Sequence, residues 1–184
     1  MAITPEHAQQ VYDEAELIYS HEQIIEALDR LALEITDRLA DANPLVLCVM
    51  NGGLIPTGYL VTRLNFPHQL DYLHATRYRG NTTGGELYWY ARPQESLKDR
   101  VILLIDDILD EGHTLKAIVD ECLEAGAKEV LSVAILEKMH GRPKATAADF
   151  TGLPVENRYV FGFGMDYQEY LRNVPGVYAV KEND

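Results

Sequence analysis

At 184 residues, with 47 % hydrophobic and 24 % charged side chains, the chain has the size and balance of one globular domain that builds its core without disulfides or structural metal, which excludes disordered and fibrous classes. Its 16 Lys plus Arg against 29 Asp plus Glu leave a net charge of −13, so the average surface repels a polyanion and nucleic acid is not the expected partner. A small anionic ligand then has to be held by a divalent metal, backbone amides and a few local cations. The longest apolar runs, such as VILLI at 101–105, are too short to cross a bilayer, and no basic and apolar leader opens the chain; the expectation is a cytoplasmic protein without a membrane partner. Cys48 and Cys122 lie in apolar periodic stretches and read as buried, reduced thiols, not as metal ligands.

In chain order, Ser20-His21-Glu22-Gln23 fits a capping box, and Ile24, Leu28, Leu31, Ile35 and Leu39 follow at helical spacing, which predicts an amphipathic helix to about residue 40. Asn43-Pro44 breaks the chain before the apolar run 45–50, a strand buried on both faces, which Asn51-Gly52-Gly53 ends. A helix over 54–64 and a strand over 69–75 complete a unit of the parallel type. The polar, glycine-rich segment RYRGNTTGGE at 77–86 reads as a long loop, a plain connection or an active-site lid, before a strand-like run at 87–90. The run 101–105 is the most strand-like in the chain, and Leu115, Ile118, Val119, Cys122 and Leu123 after it have helical spacing, with Gly126 as the stop. Strands are expected again at 130–136, 158–163 and 177–180, with a polar turn over 137–142. Strands alternating with helices imply an α/β fold with a mainly parallel sheet.

Asp106-Asp107-Ile108-Leu109-Asp110-Glu111-Gly112-His113-Thr114 lies where a buried strand hands over to a helix, the place at which open α/β sheets bind ligands. Asp106, Asp107 and Asp110 cannot be buried together unpaired, so they face water or share cations and hydroxyl-bearing ligands. A solvated acidic turn with Asp110 or Thr114 as a helix cap is the plain alternative. The order strand, acidic pair, third acid, Gly112, then Thr114 opening the helix also suits an anion nest, whose amides hold a phosphate while the upstream carboxylates meet ribose hydroxyls or a metal.

VILLIDDILDEGHT closely resembles the phosphoribosyl-pyrophosphate signature of the type I phosphoribosyltransferases. Together with CVMNGG, the RYRG loop start, ILEK and RYVFGFGMDYQEYLRN, it makes the chain similar to the hypoxanthine-guanine phosphoribosyltransferases over about residues 15–180. The resemblance implies a type I phosphoribosyltransferase fold: a single domain, its mainly parallel core sheet over about 40–150 flanked by helices, with a small hood from about 1–39 and 151–184. It implies that a 6-oxopurine, hypoxanthine or guanine, displaces magnesium pyrophosphate from phosphoribosyl pyrophosphate to give IMP or GMP. Mg²⁺ is the implied cofactor, and a homodimer or homotetramer the implied assembly.

The same resemblance implies residue roles. Asp110 exchanges the proton of purine N7, while Asp106 and Asp107 hold ribose hydroxyls and the water shell of the metal. The physical need is plain: carboxylates near the ribose stabilise the oxocarbenium charge that grows as pyrophosphate leaves. Asp110, Glu111, Gly112, His113 and Thr114 cradle the 5′-phosphate, Glu111 through its amide alone because its side chain would repel the anion. Lys138 donates to the purine O6, Tyr159 stacks on the base, Val160 recognises the ring edge by its backbone, and Asp166 is a magnesium ligand at the purine site. Arg172 meets pyrophosphate, with Asn51 and Gly52 in the pyrophosphate loop, where the family often has lysine in place of Asn51 and a cis peptide bond before it. Arg77 and Tyr78 begin the catalytic loop, where Arg77 and Arg79 add positive charge. The choice among hypoxanthine, guanine and xanthine turns on details around Val160 and Asp166.

Two other readings compete, of which context rejects the first and charge disfavours the second. Asp106-Asp107-Ile108-Leu109-Asp110 is also the DDxxD motif of all-helical terpenoid synthases, yet here it follows an apolar strand and precedes glycine. A regulator that keeps the fold but binds nucleic acid needs a basic face or an added domain, and at −13 this chain offers neither.

Overall fold

The computed structural model describes residues 3–77 and 87–181. Its elements are α1 (Pro5–Glu14), β1 (Glu16–Tyr19), α2 (His21–Leu39), β2 (Leu45–Val49), α3 (Leu54–Val61), β3 (Gln69–Arg77), β4 (Leu87–Ala91), β5 (Val101–Leu109), α4 (His113–Glu124), β6 (Glu129–Met139), β7 (Phe150–Glu156), β8 (Val160–Phe161) and β9 (Val177–Ala179). Six strands form the main sheet in the order β4-β3-β2-β5-β6-β7. All neighbours are parallel except β3 and β4, which form an antiparallel edge. A small antiparallel sheet has the order β1-β9-β8.

The expected capping box starts α2: the Gln23 amide donates to Ser20 Oγ (3.4 Å) and the Ser20 amide to Gln23 Oε1 (2.9 Å). Ile24, Leu28, Leu31, Ile35 and Leu39 are all buried, as their spacing requires. They pack with Leu60 of α3 against Val46, Leu103, Ile105 and Val133, one face of the sheet. On the other face Leu115, Ile118 and Cys122 of α4 meet Leu45, Leu47, Ile102 and Leu104. Burial on both faces explains why the central strands read as continuous apolar runs.

Several boundaries differ from expectation. β5 continues to Leu109 and β6 to Met139, because their parallel ladder persists through Ile108↔Leu136 and Leu109↔Glu137. Asp106, Asp107 and Lys138 are therefore strand residues, not turn residues. The expected strand at 158–163 shrinks to Val160–Phe161, since Gly162, Phe163 and Gly164 take positive φ. α3 stops at Val61, short of Leu64. The expected hood limits also shift: α2 packs on the main sheet, where Arg30 donates to the Gly152 carbonyl of β7 (2.6 Å), and β7 is that sheet's edge strand. Among the described residues the small sheet draws on 16–19, 160–161 and 177–179.

Candidate active site

The carboxyl ends of β2, β5 and β6 converge at one edge of the main sheet, and the chemically distinctive side chains gather there. Asp106 and Asp107, adjacent in a strand, project to opposite faces. Asp106 Oδ1 accepts from the Asp107 amide (3.0 Å) and Asp107 Oδ1 from the Ile108 amide (2.7 Å). Burial raises both carboxyls above their ordinary value, Asp106 the more because the neighbouring Asp107 charge adds to the desolvation. Asp107 is restrained by its hydrogen bond from Ile108 and by the Arg172 guanidinium, while Asp166 pushes it upward.

The turn after β2 lies directly against Asp107. The Met50–Asn51 peptide is cis, as the resemblance implied. A Cβ on Gly52 would overlap the Asp107 carboxylate, and one on Gly53 would meet the carbonyls of Val49 and Ile105. Glycine is required at both positions by close approach, not by dihedral angle. Asn51 itself is exposed.

Beyond β5, Gly112 caps α4 at φ 76°, so the first helical residue is His113 and not Thr114. Neither Asp110 nor Thr114 caps the helix; among the described residues no side chain does. The amides of the first turn are thus left for water or an anion. Glu111 turns its carboxylate toward Arg142 (3.3 Å), which offsets the charge beside that turn, and lies 4.0 Å from His113.

Asp110 stands over the end of β6. Its Oδ2 accepts from Lys138 Nζ at 3.1 Å, a pairing in which Lys138 is 17 % and Asp110 46 % exposed. Lys138 also lines a cavity of about 150 Å³ together with Asp107, Ile108, Tyr159, Val160 and Asp166. Tyr159 is half-exposed at this cavity, whereas Val160 is buried in the small sheet opposite Ala179. Asp166 Oδ1 pairs with Arg172 (2.8 Å) and its Oδ2 accepts from the Glu169 amide (2.8 Å). Arg172 also donates to the Gly164 carbonyl (2.8 Å).

The structure thus brings Asp107, Lys138, Tyr159, Val160 and Asp166 to one cavity, with Asp110 and Arg172 bonded to its lining residues. Asp106, Asp107 and Asp166 do not form a metal cage: among the described residues no group of three potential ligands is gathered for one ion. Arg77 ends β3, and Tyr78, Arg79 and the rest of the expected lid lie outside the described residues. His140 escaped sequence reasoning, because a histidine in a polar segment carries no burial signal. Its side chain is 1 % exposed and its Nε2 lies 3.3 Å from the Asp110 carbonyl oxygen.

A parallel sheet that delivers buried acids, an uncapped helical turn and a small lysine- and tyrosine-lined cavity to one edge defines an α/β protein built to bind a phosphorylated small molecule. The chain belongs to the phosphoribosyltransferase family: the family model described as "Phosphoribosyl transferase domain" matches residues 14–169. It is 30 % identical over 171 residues to a hypoxanthine-guanine phosphoribosyltransferase of Streptococcus pneumoniae, covering 92 % of this chain and 95 % of the relative. To the protein of the same name from Lactococcus lactis it is 33 % identical over 166 residues, covering 90 % of each. Among solved structures, a hypoxanthine phosphoribosyltransferase from Trypanosoma cruzi in a ternary substrates complex superposes with a TM-score of 0.84 at 25 % identity, covering 92 % of this chain and 97 % of that one. The type I phosphoribosyltransferase fold is therefore the fold of this protein. Among the described residues no helix is long and apolar enough to cross a membrane.

Proposed function

We propose that the protein transfers the 5-phosphoribosyl group of phosphoribosyl pyrophosphate to a 6-oxopurine, hypoxanthine or guanine, giving IMP or GMP and pyrophosphate in purine salvage. The names of its relatives support this reading, and the observation that carries it is Lys138, bonded to Asp110 at 3.1 Å and lining the cavity that Tyr159 flanks. A base stacked on Tyr159 meets Lys138 at its O6 and Asp110 at N7. An ammonium group only donates, so it pairs with an oxo group and not with the amino group of adenine. Asp110 takes the N7 proton as the bond to the ribose forms. The amides of 111–114 receive the 5′-phosphate, and Asp106 and Asp107 the ribose hydroxyls. In this reading Asn51, Gly52 and Arg172 bind pyrophosphate, and the family resemblance gives the same role to Arg77 and Tyr78.

Mg²⁺ fits the residues present. Two buried carboxylates, offset first by backbone amides and, for Asp107, also by the Arg172 guanidinium, have capacity for a further cation. The lack of a three-ligand protein cage among the described residues suits an ion that keeps its waters and binds through one or two carboxylates and substrate phosphates. Asp106, Asp107 and Asp166 would hold it, and when bound it supplies charge neutralisation on the leaving pyrophosphate. The protein works in the cytoplasm as a homodimer or homotetramer, with no nucleic acid or membrane partner; the net charge of −13 supports the first exclusion.

The test is pyrophosphate release from phosphoribosyl pyrophosphate with hypoxanthine, guanine, xanthine or adenine offered singly, with and without magnesium. Magnesium-dependent turnover with oxopurines and little with adenine is expected. Silence with every base, or preference for adenine, would overturn the assignment.

A further inference from the structure

We propose that His140 is a positioning residue for Asp110: a neutral imidazole, locked as the Nε2-protonated tautomer, that orients the carboxylate which handles the purine proton. This rests on the function proposed above. The tautomer follows from the other ring nitrogen. The Arg142 amide donates to His140 Nδ1 at 3.1 Å, and a nitrogen that accepts a hydrogen bond carries no proton. The proton of a neutral ring is then on Nε2, which faces Asp110, 3.3 Å from its carbonyl oxygen and 3.5 Å from its Oδ1. That Oδ1 is buried and accepts no hydrogen bond among the described residues, while Oδ2 is held by Lys138. A small rotation of the imidazole carries its N–H from the carbonyl to Oδ1, so the ring secures Asp110 at the main chain or at the side chain.

The chemistry gives the two partners of Asp110 different duties. Lys138 lines the cavity and turns to the purine oxygen, whereas His140 has 1 % of its side chain exposed and, among the described residues, its polar contacts are with Asp110 and the Arg142 amide. As a neutral donor to the Asp110 carbonyl it fixes the residue that carries the carboxylate, without a second positive charge that would weaken Asp110 as a proton acceptor. Asp110 is the first residue beyond β5, with no ladder of its own, so an anchor from the segment after β6 determines where its side chain points.

Asparagine and glutamine separate the two nitrogens of the ring. Asparagine reproduces the acceptor at Nδ1 and loses the donor at Nε2; glutamine reaches the Nε2 position with an N–H. Losing the Nε2 donor that anchors Asp110 predicts that His140→Asn lowers kcat about tenfold while KM for the oxopurine and for phosphoribosyl pyrophosphate changes less than about twofold, and that His140→Gln restores more than about half of the loss. A structural role confined to the Arg142 amide reverses that order. Wild-type kcat in His140→Asn, or equal impairment of both variants, would overturn the inference. Nitrogen NMR of the imidazole in the unmodified protein reads the tautomer independently of turnover. A protonated Nε2 and bare Nδ1 are expected, and the opposite tautomer or an imidazolium at neutral pH would overturn the inference even where the proposed reaction stands. Failure of the wild-type protein to use any base strikes the function itself.

Discussion

From Val101 to Ile105, β5 buries every side chain, with Leu103 and Ile105 packed toward α2 and α3 and Ile102 and Leu104 toward α4; from Asp106 onward the same ladder with β6 carries two carboxylates. The backbone pairing is identical in kind across the junction, and only the side chains change. The apolar half gains from leaving water, while the acidic half loses by it, which is why burial raises both carboxyls. One rigid strand therefore converts core stability into the fixed position of groups that would not hold themselves there.

The comparison breaks most visibly just past the acidic end. Asp110→Asn is expected to lower kcat by ~10²–10⁴-fold with little change in KM, because the amide cannot take a proton. Steady-state kinetics on both substrates reads this, and wild-type turnover would remove Asp110 from the chemistry. In the apolar half the loss is of stability: Leu104→Ala, at a fully buried position, costs ~2–5 kcal/mol by denaturant unfolding, with KM unchanged in the protein that remains folded. A stability loss near zero there would mean that the strand is not the support described.

The smallest effect sharpens the contrast. With Asp106 and Asp107 raised above the ordinary 3.8, the native state binds more protons than the unfolded chain between that value and the raised ones. Their contribution to stability is therefore complete below the unfolded value and is lost as pH rises through the folded values. Asp106→Asn removes the larger share, so its melting temperature should fall less than that of the wild type from acid to neutral pH, and at neutral pH it should be the more stable by about 1 kcal/mol while turning over more slowly. Parallel melting curves across that window would show that Asp106 is not destabilised by its surroundings.

Much of this architecture is readable in the sequence because α2, β2 and β5 each carry a strong local signal: a capping box, a break at Asn43-Pro44, and runs buried on both faces. β7 gives no such signal, for FTGLPVE holds a glycine and a proline. It is a strand only because it lies at the sheet edge and because Gly152 admits the Ile135 carbonyl. α1 is equally silent, with Ala8 its one buried residue. In the site, the acids, Lys138 and Tyr159 are found by motif, since their spacing along the chain is short or their neighbours are distinctive. The pairings among them are not, because His140 on Asp110 and Gly52 under Asp107 arise where separate segments fold together, and Arg172 on Asp166 where the loop between β8 and β9 turns back on itself.

Gly52 is also where three such segments stack without an intervening side chain: Asp107 lies against its Cα, and a Cβ on Gly164 would strike its carbonyl oxygen. On a ribosome these parts emerge in a fixed order, the turn at 50–53 first, the acids next, and Gly164 with Arg172 last. The nascent chain therefore carries Asp106 and Asp107 through the synthesis of β6 and β7 before Arg172, the guanidinium that lowers Asp107, exists. A chain ending before Gly162 contains every strand of the main sheet yet lacks Arg172, so its sequence can supply the sheet and still leave Asp107 without its guanidinium.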